Sequence, residues 1–336
     1  MIPHRHFPAS SLSRLSLVLA MIMLGGCFSD TPSASWETTV QGVYSADLSR
    51  DGNYAMVGSI QHGGSLWRVS DAERLFNWNH KSGEATAITA MSFSPEGRFA
   101  LTADERTLVL WDVSEGTALR YFTAPGEIFY AALLPDARAA LLGLRDGKSV
   151  LFDIQGGGLI HEMYHEADIL AMAISANGRY ALFGLGGNRM ELRDLDSGSV
   201  VKEFPSRGRL STVALSSRGE YAFMAGQFGE AKIIDTRTGA VVSELDYSNP
   251  LFPNFSSFIT AEFSADGSGL LTGNSVGAME FWDLTSGRRI ERWIMPKASS
   301  LRPTNFSVVA VAAPVERNTV LAMTSNGMTH AYDFSR

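Results

Sequence analysis

The sequence predicts an all-β fold, a seven-bladed β-propeller, on three observations. Short apolar runs rich in β-branched and aromatic residues are broken by turn residues about every eight to twelve positions, as in antiparallel meanders. That four-run pattern recurs along the chain with a period of roughly 40 to 50 residues, the size of one propeller blade. The last repeat is one strand short, and a spare strand stands at the other end of the chain. Composition agrees: 45% hydrophobic and 19% charged residues suit a folded chain rather than a disordered one, and 32 glycines suit one rich in turns.

The clearest unit runs from Ile88 to Phe122. Its four apolar runs are Ile88–Ser94, Arg98–Thr102, Thr107–Val113 and Thr117–Phe122, separated by Pro95-Glu96-Gly97, Asp104-Glu105-Arg106 and Ser114-Glu115-Gly116. Aligned on the end of the third run, the chain gives Trp67-Arg68, Trp111-Asp112, Phe152-Asp153, Arg193-Asp194, Ile234-Asp235, Trp282-Asp283 and Tyr332-Asp333. From Arg68 to Asp112 the step is 44 residues, and from there the aspartates step by 41, 41, 41, 48 and 50. Turns such as Asp51-Gly52, Glu96-Gly97, Asn177-Gly178 and Asp266-Gly267 join first to second strands, a strong hairpin signal. The expected blades are 43–79, 88–122, 128–164, 169–204, 210–245, 258–293 and 306–334, the last completed by 35–40. Closure is needed because an open sheet edge invites pairing with another chain.

The Trp-Asp ends of the third strands and the Asp-Gly turns resemble the WD40 repeat, over roughly Ala34 to Phe334. Two repeats keep the literal Trp-Asp, and Phe or Tyr replaces Trp in two more. The resemblance is to a divergent bacterial member of that class and implies a rigid disc. The family's Gly-His pair before each first strand is missing. The Asp-His-Ser/Thr-Trp hydrogen-bond network that goes with it is therefore not carried over.

Ahead of the repeats, residues 1–26 read as a secretory signal. Arg5 and Arg14 precede the apolar run Leu15–Leu24, which is too short to cross a bilayer as a mature helix, and no acidic residue comes before Asp30. Leu24-Gly25-Gly26-Cys27 resembles the lipobox of bacterial lipoproteins and implies lipidation of Cys27, the chain's one cysteine. No internal disulfide is then possible. Phe28 stands where Asp would signal inner-membrane retention, so the expected location is the periplasmic face of an outer membrane. Residues 27–34 would be a short linker, spanning at most about 25 Å after the anchor. Processing removes two arginines and no acid from a chain whose net charge is already −7, so nucleic acid is not an expected partner.

Two blade-to-blade connections break the period, 246–257 (DYSNPLFPNFSS) and 294–305 (IMPKASSLRPTN). Long loops in compact domains are often functional, and exposed aromatics with Arg are common anchors. Tyr247, Phe252 and Phe255 in the first, with Lys297 and Arg302 in the second, are candidate partner-binding residues. On the same face the second-to-third-strand turns offer Arg106, Arg145 and Arg189, with Asn188, Gln227 and Asn274, around one mouth of the central channel.

His161-Glu162-Met163-Tyr164-His165 matches the H-E-x-x-H zinc-protease motif, whose chemistry needs a helix that puts both imidazoles on one face. Here it falls on a fourth strand, where the two rings would stand about 13 Å apart. His62, His80 and His330 are scattered over different blades, and the glycine runs 156–158 and 184–187 join strands rather than precede a helix. Neither a metal nor a cofactor is expected. The chain reads as a monomeric, lipid-anchored, non-enzymatic scaffold that binds protein at the cell envelope. The alternatives are a propeller enzyme of the lactonase or quinoprotein type and a glycan-binding periplasmic module.

Overall fold

The computed structural model describes residues 31–39, 42–60, 62–81, 83–245, 257–296, 306–314 and 318–334, apart from the side chain of Phe228. The chain divides into two units, Met1–Thr31 and Pro32–Arg336, and the second holds the strands. Among the described residues, 28 strands form seven four-stranded antiparallel sheets. Among the described residues the helical pieces are two single 3-10 turns, Pro135–Ala137 and Gln227–Gly229.

Within a blade, burial changes from strand to strand. The second and third strands of blade 2, Phe99–Ala103 and Thr107–Asp112, are buried on both faces, whereas the fourth, Ala118–Thr123, is largely exposed. A strand covered on both faces reads as a continuous apolar run, which is why the middle strands show no alternation in the sequence. Seven apolar clusters fill the molecule, each straddling one boundary between neighbouring blades. Trp111 lies in the cluster between blades 1 and 2 and Trp282 in that between blades 5 and 6, while Trp67 packs against the one joining blades 7 and 1. Each large apolar side chain fully buried there stabilises the ring by about 1.5–3 kcal/mol.

The ring closes as expected from the short last repeat. Ala34–Glu37 pairs antiparallel with Met328–Asp333, in the register Ala34 to Ala331 through Glu37 to Met328. Beyond it, the Thr38 amide and hydroxyl both donate to the Gly327 carbonyl, at 2.8 and 2.9 Å. The strand thus starts one residue earlier than the sequence suggests, and Val40 lies outside the described residues. His330 sits under this seam with Nδ1 2.8 Å from the Ser35 hydroxyl, and burial pushes its imidazole down to about 4.

The expectation about the Asp-His-Thr-Trp network needs correcting for blade 2. The Trp111 indole N–H donates to the Thr102 hydroxyl at 2.8 Å, and Thr102 lies 3.0 Å from His80 Nε2. His80 Nδ1 faces the Asp104 carboxylate at 3.2 Å. Because the carboxylate can only accept, Nδ1 carries the proton, and the Thr102 hydroxyl donates to Nε2. Burial raises the Asp104 carboxyl, but the Arg106 and Thr107 amides and His80 outweigh it and hold the group below its usual range. The histidine was missed because it follows Asn79, not Gly, and stands eight residues before Ile88 rather than directly ahead of the strand. The Asn79 carboxamide oxygen accepts from the Thr86 amide and the Thr86 hydroxyl from the His80 amide, pinning the longer loop.

Blade 4 solves the same packing problem differently. Arg193 occupies the Trp position, with Nε 2.5 Å from Glu191 Oε1, and His165 Nδ1 approaches the same oxygen at 2.9 Å. The remaining Arg193 donors reach the Gly198 and Tyr164 carbonyls. A buried charge needs this degree of satisfaction to be tolerated.

Candidate functional site

The first strands Val43–Leu48, Ala90–Phe93, Ile128–Leu133, Ile169–Ile174, Leu210–Leu215, Phe258–Phe263 and Val308–Ala312 line the axis, and neighbours touch all the way round. They begin at an upper face, which carries the second-to-third-strand turns and the blade-to-blade connections. They end at a lower face, which carries the other turns. The two mouths differ in chemistry.

At the upper mouth, six of the seven first strands bulge at their second residue. The register skips Tyr44, Phe129, Leu170, Ser211, Ile259 and Val309. A bulge leaves one residue unpaired against the neighbouring strand and re-aims its side chain. Tyr44, Phe129 and Ile259 are accordingly 53%, 50% and 42% exposed, unusually open for large apolar groups beside an axis. Between blades 3, 4 and 5 a cavity of about 240 Å³ opens on this face, lined in part by Phe129, Leu170, Arg145 and Arg209. Arg145 rises from the turn after Ala140–Leu144. Its Nε lies 2.5 Å from Glu127 Oε1, and its guanidinium stands 5.1 Å above the Phe129 ring.

The other rim residues scatter. Arg106 is exposed at the tip of its turn, where its amide donates to Asp104 Oδ1 and its carbonyl accepts from Ala124. Arg189 opens the strand Arg189–Asp194 with Nη1 2.7 Å from Glu166, which holds its pKa up. Neither lines the cavity. Asn188 and Gln227 are exposed, but Asn274 is buried, its side-chain oxygen accepting from the Val276 and Ala278 amides. It builds its turn and does not project from the rim, because an unsatisfied turn amide costs more than a lost surface contact. Tyr247, Phe252, Phe255, Lys297, Arg302 and Cys27 lie outside the described residues, although the strands flanking both long connections end at this face.

Sequence reasoning passed over the bulged positions, yet a signal was there. Val43-Tyr44, Ile128-Phe129, Ile169-Leu170, Phe258-Ile259 and Val308-Val309 are adjacent apolar pairs at the head of otherwise alternating strands. One of two such neighbours must face away from its alternation unless the strand bulges.

The lower part of the channel is a cavity of about 220 Å³ to which every blade contributes. Three charged side chains face it. Arg50 Nε stands 3.6 Å from Glu262 Oε1, and Asp47 Oδ2 accepts from the Phe93 amide of the next blade at 2.8 Å. Asp47 Oδ1 accepts from the Leu48 amide. Burial pushes Glu262 up to about 7, with Asp47 adding to the rise and Arg50 opposing it. Burial likewise pushes Asp47 up to about 6, against the two amides and Arg50. The Glu262 side chain keeps 23% of its surface open to the channel, so water reaches it and moderates both effects. The trio can hold a proton near neutrality.

The H-E-x-x-H stretch lies on the strand Leu159–Tyr164 and beyond its end, and its two imidazoles have separate partners. His161 Nε2 meets the Asp196 carbonyl, whereas His165 lies between Glu191 and Ser149. Among the described residues no three His, Cys, Asp or Glu side chains cluster closely enough for a metal ion.

A family model described as WD domain, G-beta repeat matches residues 75–112, which contain all four members of the blade 2 network. Comparison with curated proteins gives no match.

Proposed function

Because the chain is a WD40-like seven-bladed β-propeller, we propose that it is a non-enzymatic, protein-binding scaffold of the bacterial cell envelope. Propellers of this kind generally bind protein partners. The observation that carries the reading is the upper mouth, where the large apolar side chains of Tyr44, Phe129 and Ile259 stay exposed on the inner strands. Exposed aromatic groups at the centre of a rigid surface are the usual anchors of an interface. The two long connections, with Tyr247, Phe252, Phe255, Lys297 and Arg302, would extend that surface, since the strands they join end there. Lipid on Cys27 would hold the disc at the periplasmic face of the outer membrane, with a linker too short to let it stray.

The test is crosslinking in cells followed by recovery of the tagged full-length protein. The variant Tyr44→Ala/Phe129→Ala/Ile259→Ala should recover its partner at least about tenfold less well than the parent, a loss of about 1.4 kcal/mol or more. Unchanged recovery would contradict the site. Fractionation of the same cells should find the protein in the outer-membrane pellet, and Cys27→Ser should move it to the soluble fraction. A parent protein that is already soluble would remove the anchor from the proposal.

A further inference from the structure

We propose that the upper-face cavity between blades 3, 4 and 5 is a docking pocket for an extended partner segment in which a large apolar residue adjoins an acidic one. The inference rests on the scaffold reading and names the chemistry of the partner at that surface.

Phe129, Leu144, Ile169 and Leu170 supply the apolar part of a mixed lining, and about 240 Å³ far exceeds the 10–15 Å³ or so that a single water needs. A cavity of that size admits a large side chain, which its apolar part would cover. Its polar groups then decide which neighbour that side chain brings. Arg145 is already engaged, bonded to Glu127 and stacked on Phe129. Arg209 is not engaged. It is exposed, its guanidinium has no hydrogen-bond or ion-pair partner among the described residues, and its charge acts on the Tyr130 hydroxyl, which itself donates to the Leu170 carbonyl. Asp168 also lines the cavity, and its carboxylate accepts no hydrogen bond from a described residue.

One open donor and one open acceptor flank the apolar part of the pocket. An acidic residue of a peptide satisfies the guanidinium, ideally as a two-pronged pair, and a backbone N–H of the same segment satisfies Asp168. A simple anion fits less well, because the Asp168 charge offsets that of Arg209 and the Glu127 charge offsets that of Arg145. A polyphosphate chain fits worse still, since it needs several unopposed cations. Only a ligand carrying an apolar group, a carboxylate and an amide donor uses every element of the cavity.

The probes are four end-blocked, fluorescein-labelled nonapeptides of Gly and Ser with central Phe-Glu, Phe-Gln, Ala-Glu or Phe-Lys. Their anisotropy is read against the full-length protein in detergent solution. Phe-Glu should bind at least about tenfold more tightly than Phe-Gln or Ala-Glu, about 1.4 kcal/mol. Arg209→Glu should abolish that preference and favour Phe-Lys. Arg209 is exposed, so the variant should melt with the parent. Arg106→Glu, a charge reversal elsewhere on the same rim, should leave the peptide ranking intact. Equal binding of Phe-Glu and Phe-Gln, or equal effects of the two charge reversals, overturns the pocket.

The two readings fail separately. A partner captured in cells by the parent and by Arg209→Glu alike rejects the pocket and keeps the scaffold. Peptide selectivity as described, with no protein captured in cells, keeps the pocket and rejects the scaffold.

Discussion

Over five residues the innermost strands of blades 1 and 6 pass from one kind of mouth to another. In blade 1 that passage runs from Tyr44, half open to solvent, to Asp47 and Leu48, which face the channel and the next blade. In blade 6 it runs from Ile259 to Glu262 and Phe263. The upper mouth leaves large apolar groups open to solvent, while the lower one ties polar groups to other blades. Asp47 bridges to Phe93, and Arg50 of blade 1 meets Glu262 of blade 6 at the channel, past blade 7. The difference separates recognition from cohesion. The end that holds the ring together spends its side chains internally, and the other end keeps them for something outside.

That contrast can be broken most strongly from below. Asp47→Ala removes the acceptor of the Phe93 amide, leaving a donor in a residue that is only 7% exposed. An orphaned buried amide costs about 1–3 kcal/mol. The urea midpoint of the variant should fall accordingly, while partner capture from folded protein should not change. If Asp47→Ala left stability intact but weakened capture, the roles of the two mouths would be reversed.

Glu262 sharpens the comparison through pH. Its folded carboxyl, at about 7, lies above its ordinary 4.5, so the folded state holds the proton more tightly than the unfolded one. The contribution is fully present below pH 4.5 and is lost as pH rises through 7. Glu262→Gln should cancel that loss, so the variant should gain on the parent between pH 5 and pH 8 by an amount on the order of 1–2 kcal/mol, reduced by channel water. Parallel stability curves for the two proteins across that range would contradict the burial of the carboxyl.

The smallest stability effect is expected above. Tyr44→Ala, Phe129→Ala and Ile259→Ala remove exposed groups, and each should shift stability by no more than about 0.5 kcal/mol. Thermal melts of the triple variant check this and also certify the capture experiment, since a large drop would mean that these side chains serve the fold.

Much of the architecture was legible because a propeller repeats its turn chemistry. Asp51-Gly52 and Glu96-Gly97 mark hairpins locally, Gly97 adopting a left-handed φ of +74°, and the period needs no tertiary information. Even the missing strand of blade 7 could be matched to the chain start by counting. The third blade shows where a local rule bends: Asp136 and Ala137 take φ of 54° and 46° without a glycine, at some cost in strain.

The sites were less legible, for two physical reasons. Arg145 could be placed on a rim because turns reach the surface, but its neighbour Phe129 required the bulge, a feature of pairing between strands. Asp47, Arg50 and Glu262 are brought together only by closing the ring, since blades 1 and 6 are far apart in sequence. His80 was hidden by a loop longer than the usual signal allows. For Asp47, Arg50 and Glu262 the chemistry depends on contacts that no local pattern encodes, whereas Phe129 left a local trace in the Ile128-Phe129 pair.

Photo-crosslinking in cells tests the separation of the two faces most directly. A photoreactive amino acid placed at position 129 on the upper mouth is compared with one at position 96, an exposed turn on the lower face. The account predicts a discrete protein adduct from position 129 and none from position 96. An adduct of equal yield from both positions, or from position 96 alone, would contradict it.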